Sequence, residues 1–207
     1  MNEGIRSLNK VEWSRRDLLK FAATGLLGGA ANSLLSHPAH AAETGNLNTK
    51  VLIIYYSRSG NTREIANQIH ERVGGEIVEI QTVEPYPDDY NAVTKQARQE
   101  LDSGYKPPLK TKVENIRSYD VIFVGSPSWW STIASPVRTF LSEHDLSGKT
   151  IVPFITHEGS ELGRSVTDIM TICPNSTIPD GLAVRGRNAK TAQREVSEWL
   201  SRLGMKK

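Results

Sequence analysis

The chain has 207 residues, 38% hydrophobic and 23% charged, which is enough apolar material for one globular core and unlike collagen, a disulfide scaffold or a disordered chain. Five of its 25 basic and three of its 23 acidic side chains fall in the first 41 residues, so the remainder is formally neutral. It lacks the basic stripe that nucleic acid as a main partner requires. Cys173 is the only cysteine, which excludes an intramolecular disulfide and a cysteine-held zinc or iron-sulfur centre. The histidines at 37, 40, 70, 144 and 157 show no metal-ligand spacing.

Residues 1–41 read as an address. Ser14-Arg15-Arg16-Asp17-Leu18-Leu19-Lys20-Phe21 precedes an uncharged stretch over 21–35, and Ala39-His40-Ala41 places small residues where a signal peptidase reads. The uncharged run falls short of the ~20 apolar residues a spanning helix needs. An amphipathic helix would leave the Arg pair and the Ala-x-Ala ending unexplained. The segment resembles a bacterial twin-arginine signal, with Leu18 in place of the usual Phe, and the resemblance implies export of an already folded protein to the periplasm. No cysteine stands near the cleavage point, so no stable membrane anchor is expected after cleavage. Residues 42–49 read as a loose leader, and 50–207 as one domain.

From Lys50 onward short apolar runs alternate with amphipathic segments, the pattern of a parallel sheet covered by helices. Residues 51–56 form a continuous apolar run, expected of a strand buried on both faces. Over 62–73, Ile65, Ile69 and Val73 recur every four residues and give one helical face. An irregular strand nearer the sheet edge is predicted over 76–83, and a polar helix over 89–103, stopped by Gly104-Tyr105-Lys106-Pro107-Pro108. The third strand is placed at 121–124 and the next helix at 136–143, with Pro136 in its first turn. A fourth strand follows at 150–155, a helix at 162–172, a short fifth strand at 181–184 and a closing helix at 188–203. Ala192, Val196, Trp199, Leu200 and Leu203 share one side of that last helix.

Ligands of an open parallel sheet sit beyond the carboxyl ends of the strands, so the loops after strands one, three and four carry the chemistry. Ser57-Arg58-Ser59-Gly60-Asn61-Thr62 lies between a buried strand and a helix N-terminus. Converging backbone N–H groups and the helix dipole favour an anion there, and the Ser57, Ser59 and Thr62 hydroxyls add donors for a phosphate. The same residues also fit a plain turn that caps the helix. Neither the nucleotide-hydrolysing P-loop nor the dinucleotide glycine pattern is present.

The second loop, Gly125-Ser126-Pro127-Ser128-Trp129-Trp130-Ser131, offers two adjacent tryptophans as partners for a planar ligand, although either one alone also fits core packing. Its serines do not form the Gly-x-Ser-x-Gly elbow of serine hydrolases. The third loop, Thr156-His157-Glu158-Gly159-Ser160-Glu161-Leu162-Gly163, suits approach to the edge of a flat ring. His157 beside Glu158 also fits an acid-base pair, but no residue is assigned a catalytic role.

These three loops together resemble the flavodoxin family over residues 50–203. Ser57 to Thr62 fits the family's Thr/Ser-x-Thr/Ser-Gly-x-Thr phosphate loop in every position, Gly125 to Trp130 looks like a flavin-stacking loop, and Thr156 to Gly163 resembles the third loop. The resemblance implies an α/β, flavodoxin-like three-layer sandwich whose five-stranded parallel sheet has the order 2-1-3-4-5. It further implies bound FMN held by residues 57–62, Ser126, Pro127, Ser128, Trp129, Trp130, Thr156, His157, Glu158, Gly159, Ser160 and Gly163. Electron transfer to a redox partner protein or a small-molecule acceptor outside the cytoplasm follows as the expected function. An NAD(P)H-dependent quinone or FMN reductase, or an FMN-holding protein without turnover, are the alternatives. Flavodoxins proper are strongly acidic, whereas this body is neutral, so a different kind of electron partner is expected.

Overall fold

The computed structural model describes residues 49–205. The expected signal segment and residues 42–48 of the leader lie outside the described residues. The elements are β1 (Val51–Tyr55), α1 (Asn61–Val73), β2 (Glu76–Glu79), α2 (Tyr90–Ser103), β3 (Val121–Trp129), β4 (Thr132–Ile133), α3 (Ser135–Glu143), β5 (Thr150–His157), α4 (Ser165–Ile172), β6 (Leu182–Arg185) and α5 (Gln193–Arg202). The main sheet runs β2-β1-β3-β5-β6, all parallel, which is the expected 2-1-3-4-5 order once the small β4 is set aside.

Period-two alternation along the central strands divides the core between the two faces. Ile53, Tyr55, Phe123, Val152 and Phe154 point to the side covered by α1 and α5, where Ile65 and Ile69 meet Val196, Trp199 and Leu200. Leu52, Ile54, Ile122, Val124 and Ile151 face α3 and α4 through Val137, Phe140 and Ile169. Burial on both faces explains the uninterrupted apolar runs in the sequence. Trp199 is 1% exposed, meets the Phe123 ring edge to face at 5.9 Å and donates its Nε1–H to the Asp180 carbonyl at 3.0 Å. The indole is thereby buried with its polar atom satisfied.

The differences from the predicted elements have local causes. β2 ends at Glu79 rather than 83, because the following backbone turns to the segment around 108–111: Gln81 N–H donates to Thr111 Oγ1 at 2.8 Å and Lys110 N–H to the Gln81 carbonyl at 2.8 Å. β3 runs on to Trp129 through Gly125 and Pro127, past the expected end at 124, because β5 is itself longer and pairs with β3 as far as Pro127 with Thr156. The closing helix opens as a 3-10 segment, Gly186–Thr191, before α5 begins. Asp89 stands outside α2 and caps it, its Oδ1 accepting from Ala92 N–H at 2.7 Å.

At the middle of the sheet Tyr55, Gly125 and Phe154 are paired side by side. A Cβ on Gly125 would stand 2.2 Å from the Phe154 ring and 2.7 Å from the Tyr55 Cβ. The missing side chain is what lets both aromatic residues fill that layer. Gly125→Ala is therefore expected to destabilise the fold by about 1 to 3 kcal/mol, the usual cost of overpacking. Thermal denaturation of the two proteins measures the difference, and an unchanged midpoint would contradict the packing described.

Candidate functional site

β1, β3 and β5 end side by side, so the loops that follow them meet at one edge of the sheet. The first loop turns directly into α1, with Gly60 at φ 88° as the N-cap. Ser57 Oγ accepts from Arg63 N–H at 3.2 Å, and the Gly60 carbonyl accepts from Glu64 N–H at 3.0 Å. The N–H groups of the first helical turn have no carbonyl behind them within the helix, which makes this end a natural anion seat. Outside the turn, Arg63 grips the Glu79 carboxylate of β2 with both Nε (2.9 Å) and a terminal nitrogen (2.7 Å) and so fixes the helix start against the sheet edge. The Arg58 guanidinium donates to the Asp88 carbonyl at 2.5 Å.

Thr62 is 1% exposed, and its Oγ1 lies 2.8 Å from Thr156 Oγ1, so a buried hydroxyl pair joins the first loop to the third. Ser128 Oγ and Ser160 Oγ, 2.6 Å apart, join the second to the third in the same way. Ser126 is fully buried and accepts from Ala134 N–H at 2.8 Å, which anchors the start of α3.

The second loop is a two-residue hairpin between β3 and β4, a feature the sequence reading did not contain. Trp130 and Ser131 both have positive φ, 54° and 62°, the requirement of a type I′ turn that Asn-Gly usually meets. Trp130 is 46% exposed; its Nε1–H donates to the Thr94 carbonyl on α2 at 3.1 Å, and the Arg98 guanidinium lies 5.3 Å from its ring centre. Trp129 is half-buried, edge-on to Tyr56 (5.5 Å) and Tyr86 (5.0 Å). Behind it the Tyr86 hydroxyl donates to the buried Glu100 carboxylate at 2.6 Å. Burial and that carboxylate push the Tyr86 phenol well above its ordinary pKa.

A cleft of about 450 Å³ opens between these loops, within the range of cofactor sites. Arg58, Ser59 and Asn61 line one end of it, Pro127, Ser128, Trp129 and Trp130 one wall, and Thr156, His157 and Glu158 another. Ser57, Gly60, Thr62, Ser126, Gly159, Ser160 and Gly163 do not line it; four of these hold the loops through the hydroxyl contacts above. The cleft also has a wall that the three-loop reading missed: Tyr90, Val93, Thr94 and Ala97 of α2, with Gly186 beyond β6. Val93, Ala97 and Leu101, recurring every four residues in a largely polar helix, were the available signal. His157 lines the cleft, while its Nδ1 is buried without a hydrogen-bond partner. Among the described residues no group of acidic, histidine or cysteine side chains is arranged to hold a metal.

A family model described as flavodoxin matches residues 50–203. A relative from a Bradyrhizobium species, named NAD(P)H dehydrogenase (quinone), is 32% identical over 150 residues, covering 68% of this chain and 71% of its own. Among solved structures, a Bacteroides eggerthii protein superposes with a TM-score of 0.66 at 33% identity, covering 74% of this chain and 97% of its own. A Lactobacillus acidophilus flavoprotein in complex with FMN superposes with a TM-score of 0.58 at 26% identity, covering 69% of this chain and 97% of its own.

The aromatic wall has a pH signature. Burial pushes the Tyr56 phenol up to about 12 from the ordinary 10.0. The unfolded chain therefore ionises first: the contribution to stability is whole below pH 10 and lost as pH rises from 10 to 12. Tyr56→Phe is expected to flatten that alkaline decline, as read from thermal denaturation across the interval. Parallel curves for the two proteins would contradict the burial of the phenol.

Proposed function

The chain belongs to the flavodoxin family, and from that premise we propose that it is an FMN-dependent electron carrier that works outside the cytoplasm. FMN is its cofactor. The observation that carries the reading is the coincidence in one cleft of an anion seat at the start of α1, an aromatic wall from the β3–β4 hairpin and the polar residues Thr156, His157 and Glu158 of the third loop. These are the three chemistries of a phosphate, a flat ring and the ring's heteroatoms.

Within this cleft the chain's own residues divide the work. The N-terminal amides of α1, with Ser59 and Asn61, hold the phosphate by charge-assisted hydrogen bonds of roughly 1.5 to 3 kcal/mol each. Trp129 and Trp130 would offer the flavin an aromatic wall, and Thr156, His157 and Glu158 would supply polar groups beside it. Bound there, the flavin supplies the capacity to take up and give out one or two electrons. Glu158 places a carboxylate in the cleft and disfavours added negative charge on the ring.

The place of action rests on Arg15 and Arg16. A protein exported folded has its cofactor loaded beforehand, and beyond the inner membrane it meets acceptors and partner proteins rather than nicotinamide cofactors. The relatives named NAD(P)H dehydrogenase (quinone) favour a second reading, direct reduction of quinones by NAD(P)H at the same flavin.

A nicotinamide-oxidation assay separates the readings. Purified FMN-loaded protein is mixed with NADPH or NADH and a quinone under anaerobic conditions. The carrier reading expects no catalytic nicotinamide oxidation, but full reduction by dithionite and reoxidation by an added acceptor. Rapid turnover would replace it with the reductase reading. Arg15→Lys with Arg16→Lys is expected to retain the protein in the cytoplasm, and periplasmic accumulation of that variant would contradict the export route. At the cleft, which both residues line, Trp130→Ala is expected to weaken FMN more than Arg58→Ala, because the indole offers a flat face while the Arg58 guanidinium is held by the Asp88 carbonyl. Flavin fluorescence titration compares the two, and equal affinities would contradict the stacking role.

A further inference from the structure

The hairpin that carries both tryptophans has little ladder of its own. β3 and β4 share two residue pairs, Ser128 with Ile133 and Trp129 with Thr132, while the turn holds two side-chain-bearing residues at positive φ. A bulky residue in that region is uncommon and persists only where its surroundings over-determine it. The surroundings here are specific. Thr132, 1% exposed, donates from Oγ1 to Asp168 Oδ2 at 2.5 Å and accepts at the same oxygen from Arg138 at 2.7 Å. Arg138 also pairs directly with Asp168 Oδ2, both side chains being 22% exposed. One carboxylate of α4 thus ties together the base of the hairpin and α3.

A second tie holds the tip. Arg164 N–H donates to the Ser131 carbonyl at 2.7 Å. Gly163, at φ 49°, lies so close that a Cβ there would be 2.3 Å from that same oxygen. Burial raises the Asp168 carboxyl, but hydrogen bonds from Thr132 and Arg138 and the charges of Arg138 and Arg164 outweigh it and leave the group below its ordinary value. The carboxylate is therefore charged wherever the protein is folded near neutral pH. The Arg164 side chain contributes from 3.9 Å.

We propose that Asp168 is a positioning residue for the aromatic wall: acting through Thr132 and Arg138, it holds the β3–β4 hairpin in the geometry that presents Trp130 to the cleft. Neither Asp168 nor Arg138 lines the cleft itself. Their effect on a ligand passes through the hairpin. The inference rests on the FMN reading for its main readout.

The test is a double-mutant cycle on the full chain, read as FMN affinity by fluorescence titration. Trp130→Ala alone is expected to weaken FMN by roughly 10- to 100-fold, as loss of an aromatic stacking partner does. Asp168→Asn alone is expected to weaken it by about tenfold, with the far-ultraviolet circular dichroism of the protein retained. In the Trp130→Ala background, Asp168→Asn is expected to add less than about twofold, since the plate it positions is gone. Wild-type affinity in Asp168→Asn, or a double variant whose loss is the product of the two single losses, would overturn the proposal.

Thr132 supplies an independent arm that keeps the ion pair. Thr132→Ser retains the hydroxyl and is expected to bind FMN as the wild type does, whereas Thr132→Val is expected to fall with Asp168→Asn. Equal affinities for the two variants would overturn the role of the hydroxyl. A wild type that takes up no FMN would instead refute the flavin reading, and the brace is then judged by acrylamide quenching of the fluorescence component that Trp130→Phe removes. Greater quenching in Asp168→Asn supports the brace, and unchanged quenching overturns it.

Discussion

Parallel pairing of β1, β3 and β5, each strand buried on both faces, sends the three loops out from one end of the sheet. Register turns that direction into a site. Tyr55, Gly125 and Phe154 sit abreast, and β3 and β5 stay paired as far as Pro127 with Thr156. The loops consequently begin within hydrogen-bonding reach of one another although they are far apart in sequence. Thr62 and Thr156, 94 residues apart, touch through their hydroxyls, and Ser128 meets Ser160 across 32 residues. The cleft is thus a consequence of strand order and register, and the small hydroxyl residues around it serve partly to lock loop to loop.

This division of labour separates contact from support. Arg58, Ser59 and Asn61 face the cleft from the first loop, whereas Ser57 and Thr62, which look alike in sequence, are turned inward to hold α1 and the third loop. The same holds in the second loop, where the tryptophans face the cleft and Ser126 anchors α3. Arg63 and Glu79 brace the first loop and Arg138 and Asp168 the second, while the third is tied to both through hydroxyl contacts. The Arg63 side chain is half exposed, and pairs open to solvent in this way contribute at most about 1 kcal/mol, so their part here is to hold geometry.

The fold and the location of the site were legible because both follow from strong local signals. A strand covered on two faces must be a continuous apolar run, and 51–56 and 151–155 are such runs. An anion seat needs small residues at a helix start, which residues 57–62 supply. The hairpin was hidden for the opposite reason. Gly125, Ser126 and Pro127 read as a loop after a strand ending at 124, yet a neighbouring strand carries them onward, and the turn uses Trp-Ser where local chemistry would ask for Asn-Gly. The α2 wall was faint because only a thin stripe, Val93, Ala97 and Leu101, marks it within a largely polar helix. Asp168, distant in sequence and turned toward Thr132 from a different element, leaves no local trace.

The central claim is that these loops form an FMN site, and the most direct measurement is the visible absorption spectrum of the folded protein with quantitation of its extractable flavin. One FMN per chain, with a flavin spectrum perturbed from that of the free cofactor, is the expected result. A colourless protein that stays colourless after incubation with excess FMN and removal of the unbound cofactor would contradict the account.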